Sequence, residues 1–369
     1  MLDPIAVYVH IPFCPSKCGY CDFNSYAQTG EIQTETTHAI VREILTSPHA
    51  GRPAKTIFFG GGTPTFIAQD ELLLILDAVL RTHPPAGEIE VTSEANPGTV
   101  DAAKFAAMRS AGFNRISLGA QSFVPDDLIR LERVHAADDI TRAVSAARDA
   151  GFLNINLDLM FALPGQTRRG WQSNLDRALA LQPDHLSLYC LTIEPNTSFY
   201  RKHLRGELNL PNDEAQVAMY EDCVRTMSTA GYEHYEISNF AKPGQECRHN
   251  LEYWRHHPYI GYGPGAVGCV PVEGGMMRYT NLKLPQRYVA AVNGGSPIPF
   301  ESEVLTPEQT QLERVMLGMR LSEGVPMDWV SATGFEKVRQ QGWVERADDR
   351  VRLTAAGKHY CSTVVLELC

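Results

Sequence analysis

No run in this 369-residue chain approaches the roughly 20 consecutive apolar residues that a membrane-spanning helix needs. The first residues carry no charged-then-apolar leader, and Met1 leads almost at once into a strand-like stretch. The expectation is a cytoplasmic protein that touches membranes only transiently. Positive charge is in the minority. The 33 Lys and Arg face 43 Asp and Glu, a net charge of −10, which argues against a nucleic-acid partner. Cysteine is sparse and odd in number, nine residues scattered through a long chain. That usage fits reduced thiols serving metal or packing, not a disulfide framework. Low-complexity tracts and equal-length repeats are absent. With 44% hydrophobic residues, the chain can bury a sizeable core as one large domain or two to three smaller ones.

Three of the nine cysteines stand together. Cys14, Cys18 and Cys21 follow a short apolar run from Ala6 to Ile11 that reads as a strand. Thiolates select zinc or iron–sulfur clusters. A structural zinc site requires a fourth ligand, for which His10 is the nearest candidate. A [4Fe–4S] cluster takes one cysteine per iron, so three would leave one iron open.

Downstream, strands alternate with helices. Strands are predicted at 55–59, 88–92, 115–118, 153–159 and 185–188. Helices are predicted at 31–46, 69–80, 101–110, 138–149 and 170–181. Six strands separated by helices imply a parallel α/β sheet of βα units, fewer than a closed eight-fold barrel, hence a partial, open TIM-like barrel. In such sheets chemistry collects at the carboxyl ends of the strands. The cysteine loop, Gly60-Gly61-Gly62-Thr63, Glu94, Gln121 and Asp158 all fall there. From Pro211 the pattern changes to a helix at 213–230, a strand at 232–238 and a loop-rich stretch to about Gly295. From Leu305 two helices and two short strands around Asp348-Asp349 resemble a winged helix. The nine acidic and eight basic residues from Thr306 onward give it no electrostatic case for DNA. The expected division is 1–210, 211–300 and 301–369.

Glycines after the second strand allow close backbone approach to a ligand beside the thiols. Glu94, Gln121, Arg133 and Asp158 are suited to the hydroxyls, amine and carboxylate of a nucleoside–amino-acid ligand. Each also has a structural alternative: a helix cap for Asp158, a surface ion pair for Arg133, a loop hydrogen bond for Gln121.

The C-x3-C-x2-C loop followed by Gly60-Gly-Gly-Thr-Pro-Thr65 resembles the radical S-adenosylmethionine (radical SAM) superfamily. Tyr8-Val-His-Ile-Pro-Phe-Cys14, Gly119-Ala-Gln-Ser-Phe123 and Asp158-Leu-Met-Phe-Ala-Leu-Pro164 are similar to its oxygen-independent coproporphyrinogen III oxidase (HemN) family. That resemblance implies a [4Fe–4S] cluster on Cys14, Cys18 and Cys21. It also implies S-adenosylmethionine contacts from Tyr8, Gly61, Gly62, Thr63, Glu94, Gln121, Arg133 and Asp158.

Two departures bear on the branch. The oxidases carry a further cysteine two residues after the third, where this chain has Phe23, and a longer segment before the first strand. Both departures, with His249-Asn250-Leu251-Glu252-Tyr253-Trp254, resemble the HemW branch of oxidase-like heme chaperones. The resemblance then implies heme binding, delivery to membrane-bound hemoproteins such as respiratory enzymes, and a homodimer tied to the cluster. His249 is the candidate heme contact, with Cys247 a lesser one; a buried structural histidine is its alternative. Oxidative decarboxylation of coproporphyrinogen III is the competing function. His256 and His257 read as solvated.

Overall fold

The computed structural model describes residues 2–296 and 298–369. Near-continuous burial marks the central strands, as in parallel sheets covered on both faces, and amphipathic periodicity the helices. The first two-thirds of the chain runs β1 (Ile5–Ile11), α1 (Glu31–Leu45), β2 (Ala54–Gly61), α2 (Gln69–Thr82), β3 (Pro85–Ala95), α3 (Ala102–Ala111), β4 (Arg115–Gln121), α4 (Pro125–Arg130), α5 (Ala137–Asp149), β5 (Asn154–Phe161), α6 (Arg168–Ala180), β6 (His185–Cys190), α7 (Ser198–Leu204) and α8 (Asp213–Thr229). β1 to β6 lie side by side in chain order, all parallel. The α/β reading with an open parallel core therefore stands. Their apolar residues, from Ile5 and Val7 through Leu157 and Leu188, form one continuous core with the covering helices.

The stretch read as rich in loops is largely regular. It holds β7 (Glu233–Glu236), β8 (Asn239–Ala241), α9 (Arg248–Trp254), β9 (Tyr259–Tyr262), β10 (Val267–Val272), β11 (Gly275–Asn281), α10 (Pro285–Asn293) and β12 (Pro299–Leu305). These strands extend the sheet at both edges, to twelve strands in the order β12-β11-β10-β9-β1-β2-β3-β4-β5-β6-β8-β7. β9 pairs parallel to β1. β7, β8 and β9 are only three or four residues long, and β11 and β12 mix polar residues among few apolar ones, so their strand signal is weak.

The chain closes with α11 (Pro307–Gly318), β13 (Val325–Pro326), α12 (Ala332–Gln340), β14 (Val344–Ala347), β15 (Arg350–Leu353) and α13 (Cys361–Leu368). α11 starts at a reciprocal cap, in which Thr306 and Gln309 each accept the other's backbone N–H. These elements bury their own apolar cluster, centred on Val315, Phe335, Val351 and Leu368. They are called the C-terminal unit below.

One buried carboxylate ties the late strands to the first helix. Glu43 of α1 accepts from the Gly263 N–H (2.8 Å), Asn281 Nδ2 (2.8 Å) and the Tyr288 hydroxyl. Removing it orphans three donors in the core, each a substantial desolvation cost. Glu43→Ala is therefore expected to lower unfolding stability by roughly 2–5 kcal/mol, as measured by denaturant titration. Unchanged stability would show that the tie carries no weight.

Candidate cofactor site

Parallel strands bring their carboxyl ends to one edge of the sheet, and a cavity of about 380 Å³ opens there. Its lining includes Cys14, Cys18, Cys21, Gly61, Gly62, Thr63, Glu94, Gln121, Arg133 and Asp158. Residues from six separate stretches of sequence thus meet at one mouth. Tyr8 and His249 do not line it.

The cysteine loop is held by its own backbone. Cys14 N donates to Tyr26 O (3.0 Å) and Tyr26 N to Pro12 O (2.7 Å), while Cys21 N closes a turn on Cys18 O (3.1 Å). Lys17 Nζ donates to Phe23 O and to Ser25 Oγ. Asn24 anchors the loop's exit, its Nδ2 donating to Pro264 O (3.0 Å) and Lys283 O (3.2 Å). Burial pushes the Cys14 and Cys21 thiols up. Thr63 Oγ1 stands 3.5 Å from Cys14 Sγ.

His10 is no fourth ligand. One ring nitrogen meets the Tyr8 hydroxyl (3.0 Å) and the other Asn24 O (2.9 Å). Among the described residues, no three His, Cys, Asp or Glu side chains converge as ligands of a single ion do. A cluster, which takes one thiolate per iron, does not require its cysteines to meet at a point. The donor set, three soft thiols with no fourth side chain free to join them, fits a [4Fe–4S] cluster and not a closed zinc site.

The glycine loop gives its backbone to the cavity. Gly61 adopts φ 110°, and a Cβ there would fall 2.4 Å from the His10 ring. A Cβ on Gly62 would lie 2.6 Å from Phe13 O. Only hydrogen fits either place. Gly61 N donates to Glu94 Oε2 (3.1 Å), so the loop and the carboxylate position each other.

Glu94 and Asp158 form a buried acidic pair. Burial, and secondarily the Asp158 charge, push Glu94 up to about 8. Burial also raises Asp158, offset by hydrogen bonds from Ser187, Asn156 and Ser117. Ser117 Oγ (3.0 Å) and Asn156 Nδ2 (2.8 Å) donate to its carboxylate. Arg133 does not reach outward to a surface partner. Its Nη2 donates to Gly119 O (2.9 Å), its Nη1 lies 3.6 Å from Cys18 Sγ, and its buried Nε has no partner. Gln121 lines the cavity from a left-handed backbone, φ 64°, at the end of β4, a conformation that non-glycine residues adopt at a cost. A guanidinium, two carboxylates and a glycine cradle together fit a ligand carrying both cationic and carboxylate groups, as S-adenosylmethionine does.

Two expected contacts stand outside the cavity lining. Tyr8 is half-buried, with its hydroxyl 3.0 Å from His10 Nδ1 and its ring beside Gly60 and Glu94. His249 is 0% exposed, with Nδ1 bonded to Thr56 Oγ1 (2.8 Å) and Nε2 to the Tyr253 hydroxyl (2.9 Å). The neutral ring donates from one nitrogen and accepts at the other, so both are engaged inside the core. Cys247 is equally buried. His256, expected in solvent, packs its side chain against Glu313 (3.2 Å).

The sequence reading missed Ser117 and Asn156, which solvate Asp158, and Tyr20, Met160 and Tyr189, which line the cavity. A signal existed for the first two. Ser117, Gly119 and Gln121, like Asn156 and Asp158, stand at every second position of otherwise apolar strands and so share one face.

The sequence profile of the radical SAM superfamily matches residues 8–178. The solved structure of coproporphyrinogen III oxidase (HemN) from Escherichia coli, a radical SAM enzyme, superposes with a TM-score of 0.84. It covers 99% of this chain and 90% of that one at 21% identity, a likeness of fold alone. The fold is thus that of the radical SAM class. The heme chaperone HemW of Bacillus subtilis is 37% identical, covering 96% of this chain and 96% of its own length. Its Escherichia coli counterpart is also 37% identical, covering 99% and 98%. Within the class, the chain belongs to the family of HemW heme chaperones.

Proposed function

We propose that this chain carries a [4Fe–4S] cluster on Cys14, Cys18 and Cys21, binds S-adenosylmethionine beside it, and takes up heme for delivery to membrane-bound hemoproteins. One observation carries the heme part: besides the thiols, the glycine loop and the charged groups, the cavity lining includes the exposed apolar side chains of Phe23, Val134 and Tyr189. Phe23 is 63% exposed. An aromatic residue in water at the rim of a cavity is a ready surface for a flat apolar ligand.

Arg133 would hold the carboxylate of S-adenosylmethionine, and Glu94 with Asp158 its positive charge. The Gly61–Thr63 backbone would lie along it. Bound next to a reduced cluster, S-adenosylmethionine supplies one-electron chemistry. The residues named here bind, orient and exclude water. In the same reading the protein works in the cytoplasm as a homodimer. None of the helices, among the described residues, is long and apolar enough to cross a membrane. Delivery would then proceed by contact with the acceptor.

Heme titration of the reconstituted protein tests the reading. A Soret shift at one heme per chain is expected. Phe23→Ala should weaken binding about tenfold, the worth of covering part of an aromatic side chain. Absence of a Soret shift in the unsubstituted protein would sink the chaperone reading, and an unaltered affinity in Phe23→Ala would remove heme from this rim. An anaerobic assay with coproporphyrinogen III is expected to yield no protoporphyrinogen IX; product formation would revive the oxidase.

A further inference from the structure

The His249–Trp254 stretch is the motif that the cavity leaves unused. In the fold it is α9, and it touches two parts of the molecule at once. Its first turn is clamped from β3, where the Glu90 carboxylate accepts the N–H groups of Arg248 (3.0 Å) and His249 (3.0 Å). An acidic group at a helix start is favourable, because the first amides have no partner within the helix.

On one side α9 meets β1 and β2. His249 stacks on Phe58 at 5.1 Å and 26°, and its ring lies 6.4 Å from that of Tyr8. Thr56, which bonds His249, belongs to β2, the strand that ends in the glycine loop. Phe58, Tyr8 and Glu94 Oε2 all come within 3.0–3.2 Å of the single point where a Gly60 Cβ would stand. His249, Phe58 and Tyr8 thus form one aromatic group, with ring centres 5.1 Å (His249–Phe58) and 6.3 Å (Phe58–Tyr8) apart, and both Phe58 and Tyr8 border the Gly60 backbone beside the carboxylate that holds Gly61.

On the other side α9 meets the C-terminal unit. The Arg320 guanidinium lies 4.5 Å from the centre of the Trp254 ring. Arg255 donates twice to Glu323, at 3.1 and 3.0 Å. His256 bonds Glu313, which also accepts from Arg278 (2.7 Å). Arg320 reaches Glu236 as well (3.4 Å).

We propose that α9 is a brace through which the seating of the C-terminal unit sets the position of Glu94 and the glycine loop, with His249 a positioning residue and not a ligand to heme. The inference rests on reading the cavity as the S-adenosylmethionine site only for its second readout. Rigid, contiguous packing is the physical means by which one site biases another. The ends of this chain of contacts are a cation over an indole and a carboxylate on a backbone amide.

Hydrogen exchange of the full-length protein without cofactors gives the first readout. Trp254→Leu should speed exchange in residues 58–63 about threefold or more. Unchanged protection there, with faster exchange confined to 248–256 and 313–323, would overturn the proposal in favour of a local packing role. The second readout is S-adenosylmethionine affinity. Trp254→Leu and Glu94→Gln should combine non-additively, although no contact joins the two residues; additive effects count against the brace. His249→Gln fills similar space and can bond both Thr56 and Tyr253. It should bind heme with an unchanged Soret position, and a changed spectrum would make His249 a ligand and end the proposal. If the unsubstituted protein fails to bind S-adenosylmethionine, the proposed function falls, while the exchange result still decides the brace.

Discussion

Serine at any one of positions 14, 18 or 21 is expected to abolish iron loading. Iron should fall from about four atoms per chain to a trace, with loss of the cluster's visible absorption. The argument is chemical. Sulfur is soft and serine oxygen is hard, so the replacement removes a ligand while keeping the shape. It is also structural: His10 has both nitrogens engaged, Cys247 and Cys269 are buried, and Cys190, which lines the cavity, turns its thiol to Gln216 Oε1 (3.5 Å). Cys361→Ser is the control and should load normally. Loading should release protons and improve as pH rises, because burial keeps the Cys14 and Cys21 thiols protonated above their ordinary range and only thiolates bind iron. Full iron in any of the three variants would show that the loop does not hold the cluster as proposed.

Glu94→Gln should weaken S-adenosylmethionine binding about 30-fold or more, the cost of removing a buried charged partner from a cation, as read by calorimetry. The pH dependence carries the stronger test. In the free protein Glu94 titrates near 8, raised by burial and by Asp158. A cationic ligand requires the carboxylate, so binding releases a proton at any pH below about 8. Affinity should therefore fall as pH drops below 8, by up to about tenfold per unit, and level off above it. Glu94→Gln should flatten that profile. A flat profile in the unsubstituted protein would separate Glu94 from the ligand. The same shift has a sign for stability. The folded state binds this proton more tightly than the unfolded one, whose Glu94 titrates near 4.5. The free protein should lose stability from this group as pH rises from 4.5 to 8, and bound ligand should restore it.

Much of the site was legible in the chain. The residues toward the carboxyl ends stand out because Gly60-Gly61-Gly62, Glu94 and Asp158 interrupt otherwise apolar strands, although Asp158 lies inside β5, three positions before its end. Three thiols within eight positions need no distant partner to be read as a metal site. The winged-helix-like ending was visible in its Thr306-Pro-Glu start and its Asp348-Asp349 turn. The edge strands β9 to β12 were not, since β9 is four residues long, β10 is broken by Pro271, and β11 and β12 carry little apolar alternation. Motif resemblance pointed to His249 as a heme contact, and here the fold departed from expectation. A histidine's availability depends on what fills its surroundings, and Thr56, its partner, lies 193 positions away.

Local order therefore determined the succession of βα units, the thiol loop and the glycine cradle. Each depends on side-chain periodicity or on residues a few positions apart. Tertiary structure alone decided that His249 is buried away from the cavity lining, that Phe23 lines the cavity while exposed, and that α9 joins β2 to the C-terminal unit. Those are matters of burial and of contacts between distant segments, and pairing across 159 residues, as between Glu90 and His249, leaves no periodic trace in the chain.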